Sequence, residues 1–143
     1  MEIVIKGITP LSYNSRNKAA YQKKIKSAFQ RKYKGMIPRF VVGEDLYARV
    51  YFFTSNGVTV DADNISKPIW DAVKGMVYVD DRSIVMRTAA IIDVQKYTMN
   101  TIDTSEIDSD VAADLMQALT DIDVECLYIE CGKFDGSMIK IGE

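Results

Sequence analysis

A chain of 143 residues, 48% hydrophobic and 27% charged, holds enough apolar material for one domain with a real core. It contains no histidine, which removes serine–histidine triads, zinc–histidine sites and imidazole bases at once, so any hydrolysis must be run by carboxylates, lysine and metal. The net charge of −2 conceals a gradient, with eleven Lys or Arg against three acids in residues 1–50 and two against eleven in residues 100–143; the basic front end suits a nucleic-acid partner.

No apolar run approaches the roughly 18 residues of a membrane span, and no basic-then-apolar leader opens the chain, so a cytoplasmic protein is expected. Met1 to Ile8 alternates as a strand does and is broken by Pro10, after which Ser12 to Ser15 form a polar loop. From Asn17 to about Tyr33 a helix is predicted, with Tyr21, Ile25, Ala28 and Phe29 as its apolar stripe. Its other faces carry Lys18, Lys23, Lys24, Lys26, Arg31, Lys32 and Lys34 with no acid among them. A solvated helix surface is the ordinary reading of such a run. Seven unbalanced cations nevertheless repel one another and invite a polyanion, whose phosphates they would position without reading base sequence. Asn14 and Arg16 lie in the loop leading into this helix, and Gly35 and Pro38 close it. Asp45 to Thr54 is the strongest strand, with Leu46, Ala48, Val50 and Phe52 on one face and Tyr47, Arg49, Tyr51 and Phe53 on the other. Ser55-Asn56-Gly57 is a turn signal.

The stretch Val60 to Asp81 concentrates the chemistry. Within it stand Asp61, Asp63, Asp71, Asp80 and Asp81, with Lys67 among them. In an extended segment Asp61 and Asp63 would point the same way. Asp63 or Asn64 is expected to cap a helix running to about Lys74. On it Asp63, Lys67, Asp71 and Lys74 follow at spacings of four, four and three, along one face. Ile65, Ile69, Ala72, Val73 and Met76 form the side expected to be buried, Pro68 should delay or bend the start, and Gly75 relieves the stop. Met76 to Val79 then reads as a strand delivering Asp80 and Asp81. Taken singly, a DxDN at a helix start is usually a cap and an Asp-Asp turn is usually solvated. Brought together, the carboxylates would form a hard-oxygen pocket suited to magnesium or manganese. An EF-hand fits worse, because the fifth and sixth positions counted from Asp61 are Ile65 and Ser66. Trp70, the only tryptophan, reads as core or dimer interface before it reads as a base-stacking platform.

Ser83 to Val94 is another strand or strand pair, from which Arg87 or Lys96 could add to a DNA-facing surface. Ser105 to Leu119 reads as a helix capped by Ser105, with Ile107, Val111, Leu115 and Leu119 recurring every four residues and Glu106, Asp108, Asp110 and Asp114 on its other faces. It is expected to pack by its apolar stripe; pairing with the basic helix is the functional alternative. Val124 to Cys131 should complete the sheet, and Gly132 to Glu143 reads as a loosely held tail. Cys126 and Cys131, five apart along one strand and its exit, cannot easily meet and are too few for zinc, so both are read as reduced. The expected fold is α+β, a single small domain with a mixed sheet of about four to five strands flanked by two to three helices.

The pattern Asp61-x-Asp63-Asn64-x-x-Lys67-x-x-x-Asp71, then Gly75 and Tyr78-Val79-Asp80-Asp81, resembles the signature of the RusA family of Holliday junction resolvases. The order of flanking elements is similar too, including a Pro-x-Ser-x-Asn segment at Pro10 to Asn14. The looser match covers roughly residues 1–97 and 123–132, with an acidic helical insertion at about 98–122. The resemblance implies a homodimeric, magnesium-dependent endonuclease (manganese also possible) that nicks branched DNA symmetrically in recombination and repair. It implies metal ligation by Asp61, Asp63 and Asp81, with Asp80 as the alternative of the adjacent pair, and an essential active-site lysine at Lys67. Lys18, Lys23, Lys24, Arg31, Lys34, Asn14 and Arg16 are the expected DNA contacts. A non-catalytic nucleic-acid- or partner-binding dimer of the same fold is the competing expectation.

Overall fold

In the computed structural model, residues 1–11, 16–35, 40, 42–57, 60–97 and 102–142 are described. Four strands and three helices follow one another as β1 (Glu2–Lys6), α1 (Lys18–Lys32), β2 (Leu46–Thr54), α2 (Ala62–Val73), β3 (Ile84–Asp93), α3 (Ser109–Leu119) and β4 (Glu125–Lys133). The strands form one mixed sheet in the order β1-β4-β2-β3, in which β4 is antiparallel to both neighbours and β2 and β3 run parallel. A parallel pair needs a crossover, and α2 supplies it.

Alternation along β2 sorts the two faces of the sheet. Leu46, Ala48, Val50 and Phe52 enter the larger core with Leu127, Ile129 and Cys131 of β4, Ile3 and Ile5 of β1, and the apolar sides of α1 and α2. Phe53 and, partly buried, Tyr51 face the other way, toward Val111, Leu115, Ala118 and Leu119 of α3 and Tyr128 of β4. The helices α1 and α2 therefore share one face and α3 lies on the opposite one. On the shared face, the Gln22 side-chain amide donates to the Pro68 carbonyl at 2.9 Å and ties α1 to α2.

The predicted stripe of α1 is the buried one: Tyr21, Ile25, Ala28 and Phe29 pack inward. In α2, Ile65, Ile69 and Val73 are buried as expected, and Trp70 joins them with no exposed surface. The helix starts at Ala62 and runs through Pro68, so the proline does not delay its start. Two further expectations need correction here. Among the described residues Met76 to Val79 pairs with no strand; Met76, Val77 and Tyr78 are a buried turn in which the Gly75 amide donates to the Tyr78 carbonyl. Gly75 sits at φ 82°, a conformation that costs little only for glycine. The third helix begins at Ser109 with Asp108 at its N-cap, four residues later than Ser105, because the Asp103 carboxylate accepts from the Ser105 amide and builds a separate turn there.

Across β2 and β4 a polar cluster crosses the face that carries α3. Glu130, 8% exposed, accepts from the Tyr47 hydroxyl, from Arg49 Nη1 at 3.0 Å and from the Tyr128 hydroxyl at 2.9 Å. Three donors on one carboxylate offset much of the cost of burying its charge. The two cysteines sit on opposite faces, Cys131 in the larger core and Cys126 in the smaller, and are free. Burial pushes both thiols up to about 12, so a disulfide-exchange reagent at pH 8 should label neither within minutes while both react at once in urea. Prompt labelling of the folded protein would contradict this packing.

Candidate active site

The acids singled out in the sequence are set on the α2 side of the sheet by three short pieces of chain. Asp61 is the N-cap residue of α2, in extended conformation, rather than Asp63 or Asn64 as the sequence suggested. Its carbonyl accepts from the Asn64 amide at 3.0 Å, but its carboxylate makes no capping bond, so both oxygens remain available in solvent. Asp63 is in the first helical turn and exposed. An acid there is favoured by the partial positive charge of the helix start. Lys67 follows one turn later and pairs with Asp71 at 3.3 Å, as their predicted place on one face of the helix allows.

The adjacent pair Asp80-Asp81 divides. Asp80 caps a single 3-10 turn, Asp81–Ser83, accepting from the Arg82 amide at 3.0 Å while the Arg82 guanidinium grips it at 2.8 Å. These bonds hold the Asp80 carboxyl down at about 2. The sign is that of a depressed acid: the stabilisation is complete above the ordinary value of 3.8 and is lost as pH falls through about 2. Asp80→Asn should therefore flatten the acid limb of melting temperature against pH between about 4 and 2; an unchanged limb would remove Arg82 as a meaningful partner. Asp81 turns toward α2 instead. It accepts from Lys74 Nζ at 2.7 Å and lies 3.0 Å from the Tyr78 hydroxyl, which is also 2.9 Å from the Trp70 carbonyl. The Lys74 bond leads in lowering the Asp81 carboxyl, and the same pair raises the Lys74 ammonium.

A shallow cleft of about 390 Å³ opens beside the start of α2, lined by Asp63, Ser66, Lys67, Arg87 and Ala89. Arg87 also acts on Asp81, whose carboxyl its charge helps to lower. Asp63 and Lys67 thus share one cleft, and Arg87 links it electrostatically to Asp81. Among the described residues, no group of three acids, histidines or cysteines is gathered closely enough to hold a metal ion. Asp81 bonds to Lys74 and Tyr78 rather than to a position shared with Asp61 and Asp63.

The basic helix α1 packs on the same side of the sheet as α2. Lys23, Lys24 and Arg31 line a second shallow groove along it, and Arg16 and Lys34 are exposed at either end. Lys18 is half-buried, and Asn14 lies outside the described residues. The acidic helix α3 meets α1 through a Lys32–Asp110 pair at 3.7 Å, while its apolar stripe packs on the other face of the sheet.

The model of the RusA endodeoxyribonuclease family matches residues 5–102, a span that contains α1, α2, β2, β3 and the acids Asp61, Asp63, Asp71, Asp80 and Asp81. The chain belongs to the RusA family. The match ends before α3 and β4, so the family relationship rests on the part of the molecule that carries Asp61, Asp63, Lys67, Asp80 and Asp81. No curated protein matches the chain. Of the residues around this cleft, the sequence singled out Asp63 and Lys67; it left out Ser66 and the Lys74–Asp81 pair, and it gave Arg87 only as a surface cation. Lys74 could have been found from its place in the charged stripe of α2, whereas nothing local marks Ser66.

Proposed function

We propose that this RusA-family protein is a divalent-metal-dependent endonuclease that nicks branched DNA, in the manner of a Holliday junction resolvase acting in recombination and repair. The family match across residues 5–102 is the observation that carries the reading. Asp61, Asp63 and Asp81 are the proposed ligands, with magnesium favoured over softer metals because every donor is a carboxylate oxygen. The residues fit that role chemically: the Asp61 carboxylate caps nothing, Asp63 is exposed on the cleft, and Asp81 faces α2 whereas Asp80 is turned to Arg82. When bound, magnesium supplies charge neutralisation at the phosphodiester and a more acidic water.

The chain's own residues do the rest. The cations of α1 hold the DNA backbone on the α2 side of the sheet without reading its sequence. Peptide dipoles at the start of α2 favour an anion there. Lys67, a point charge on a flexible stem, opposes the negative charge that develops as the 3′ oxygen departs. Its pairing with Asp71 holds the ammonium on the cleft side of the helix. A two-fold dimer would present two equivalent sites to the two strands cut at a symmetric junction.

The engagement of Asp81 by Lys74 favours one other reading, a dimer that keeps the fold and binds DNA or a partner without cutting it. Purified protein given four-way, flap, duplex and single-stranded DNA with magnesium separates the two. Nicks confined to branched substrates and abolished by chelator support the nuclease. Tight junction binding that metal does not alter, with no cleavage of any substrate, supports the binding module.

A further inference from the structure

The register of β3 carries a consequence for the cleft. Leu46 pairs with Ile84, but the next residue, Tyr47, pairs with Met86, so Val85 is an extra residue in the edge strand. A one-residue shift exchanges the faces of every side chain that follows. Beyond it Arg87 pairs with Ala48 and Ala89 with Val50, residues of the face covered by α1 and α2. Without the extra residue, Arg87 would stand on the α3 side, far from the acids. Bulges next to functional sites are commonly the device that aims a side chain.

Three of the four cations around the site already have carboxylates. Lys67 holds Asp71, Lys74 holds Asp81 and Arg82 holds Asp80. Arg87 is exposed and makes no ion pair among the described residues, although it lines the cleft that Asp63 and Lys67 share. Beneath the same cleft the Ser66 hydroxyl, in a residue 7% exposed, has no hydrogen-bond partner among the described residues. A buried hydroxyl left without a partner is costly and calls for an acceptor supplied from outside. An unpaired guanidinium, an ammonium and an orphan hydroxyl around one small opening suit a tetrahedral anion with several acceptor oxygens.

We propose that Arg87 is a phosphate clamp: with Lys67 and over Ser66 it binds a backbone phosphodiester of the strand entering the cleft. The clamp rests on the nuclease reading for the identity of its ligand, a DNA phosphate. Its fork of donors fixes the phosphate in orientation, which a lysine at the same place could not do.

The test is a metal-free binding measurement on the full chain. Fluorescence anisotropy with a labelled four-way junction, in chelator and over a range of salt, compares the wild type with Arg87→Gln, Arg87→Lys and Lys133→Gln. The last removes an equal charge from an exposed residue at the end of β4 that pairs with Glu44. Arg87→Gln should lose about tenfold in affinity at moderate salt, and the slope of log affinity on log salt should fall by about one. Arg87→Lys should restore the slope but not the whole affinity, and Lys133→Gln should behave as the wild type. Matching melting curves exclude misfolding, since Arg87 is exposed. Arg87→Gln with wild-type affinity and slope, or a Lys133→Gln variant that falls as far, would overturn the clamp. A wild-type protein that cuts no DNA would defeat the nuclease reading instead, and this comparison would still decide the clamp.

Discussion

Asparagine in place of Asp63 should lower the rate of junction cleavage on the order of 10³-fold while leaving junction binding intact. The change keeps the side chain's size and removes its charge, and Asp63 is exposed in the first turn of α2, so the fold has no stake in it. One negative charge fewer on a DNA-facing surface should even tighten metal-free binding slightly. The helix itself loses a small favourable contact with its dipole, a few tenths of a kcal/mol. Single-turnover cleavage and anisotropy, measured on the same preparation, give both quantities. Cleavage within a few-fold of the wild type would remove Asp63 from the chemistry, and equal loss of binding and cleavage would make it a contact residue.

Replacing Trp70 by alanine should cost about 3–5 kcal/mol of stability. The indole has no exposed surface and lies in the larger core beneath α2. Against a typical domain stability of about 5–15 kcal/mol, such a loss is a large part of the whole. Its consequences should reach the site, because the Trp70 carbonyl is also one of the two acceptors near the Tyr78 hydroxyl, and Tyr78 holds Asp81. A urea titration measures the effect, with Trp70→Phe as the milder companion that removes the buried indole N–H, which has no hydrogen-bond partner among the described residues. A Trp70→Ala protein as stable as the wild type but weak in DNA binding would place the indole on the surface as a stacking platform.

The sequence-readable part of this molecule follows from periodicity. Residues 63, 67 and 71 on one side of α2 and 65, 69 and 73 on the other are fixed by the helix repeat alone, and the structure has them so, whereas Lys74 falls just past the helix end and turns to Asp81. The alternation of β2 likewise assigned its two faces before any partner was known. The misreadings have a common cause, which is that local pattern does not carry pairing. Met76 to Tyr78 is as apolar as a strand because it is buried, yet it forms a turn closed by the Gly75 amide on the Tyr78 carbonyl, with the Val77 carbonyl accepting from the Phe40 amide. Ser105 is a good cap, but Asp103 takes its amide first. Arg87 could not be assigned to a face because one extra residue at Val85 reverses the alternation. Glu130 looks like an ordinary strand acid until β4 is set beside β2 and brings Tyr47 and Arg49 to it.

The central claim is that Asp61, Asp63 and Asp81 hold a divalent ion. Crystals grown with manganese and measured at its absorption edge test it most directly. The account predicts an anomalous peak at coordinating distance from carboxylate oxygens of residues 61, 63 and 81, near the 2.1 Å typical of magnesium, with Lys74 moved off Asp81. A peak confined to the acidic face of α3, or Asp81 still bonded to Lys74 with no ion between the three aspartates at saturating metal, would contradict it.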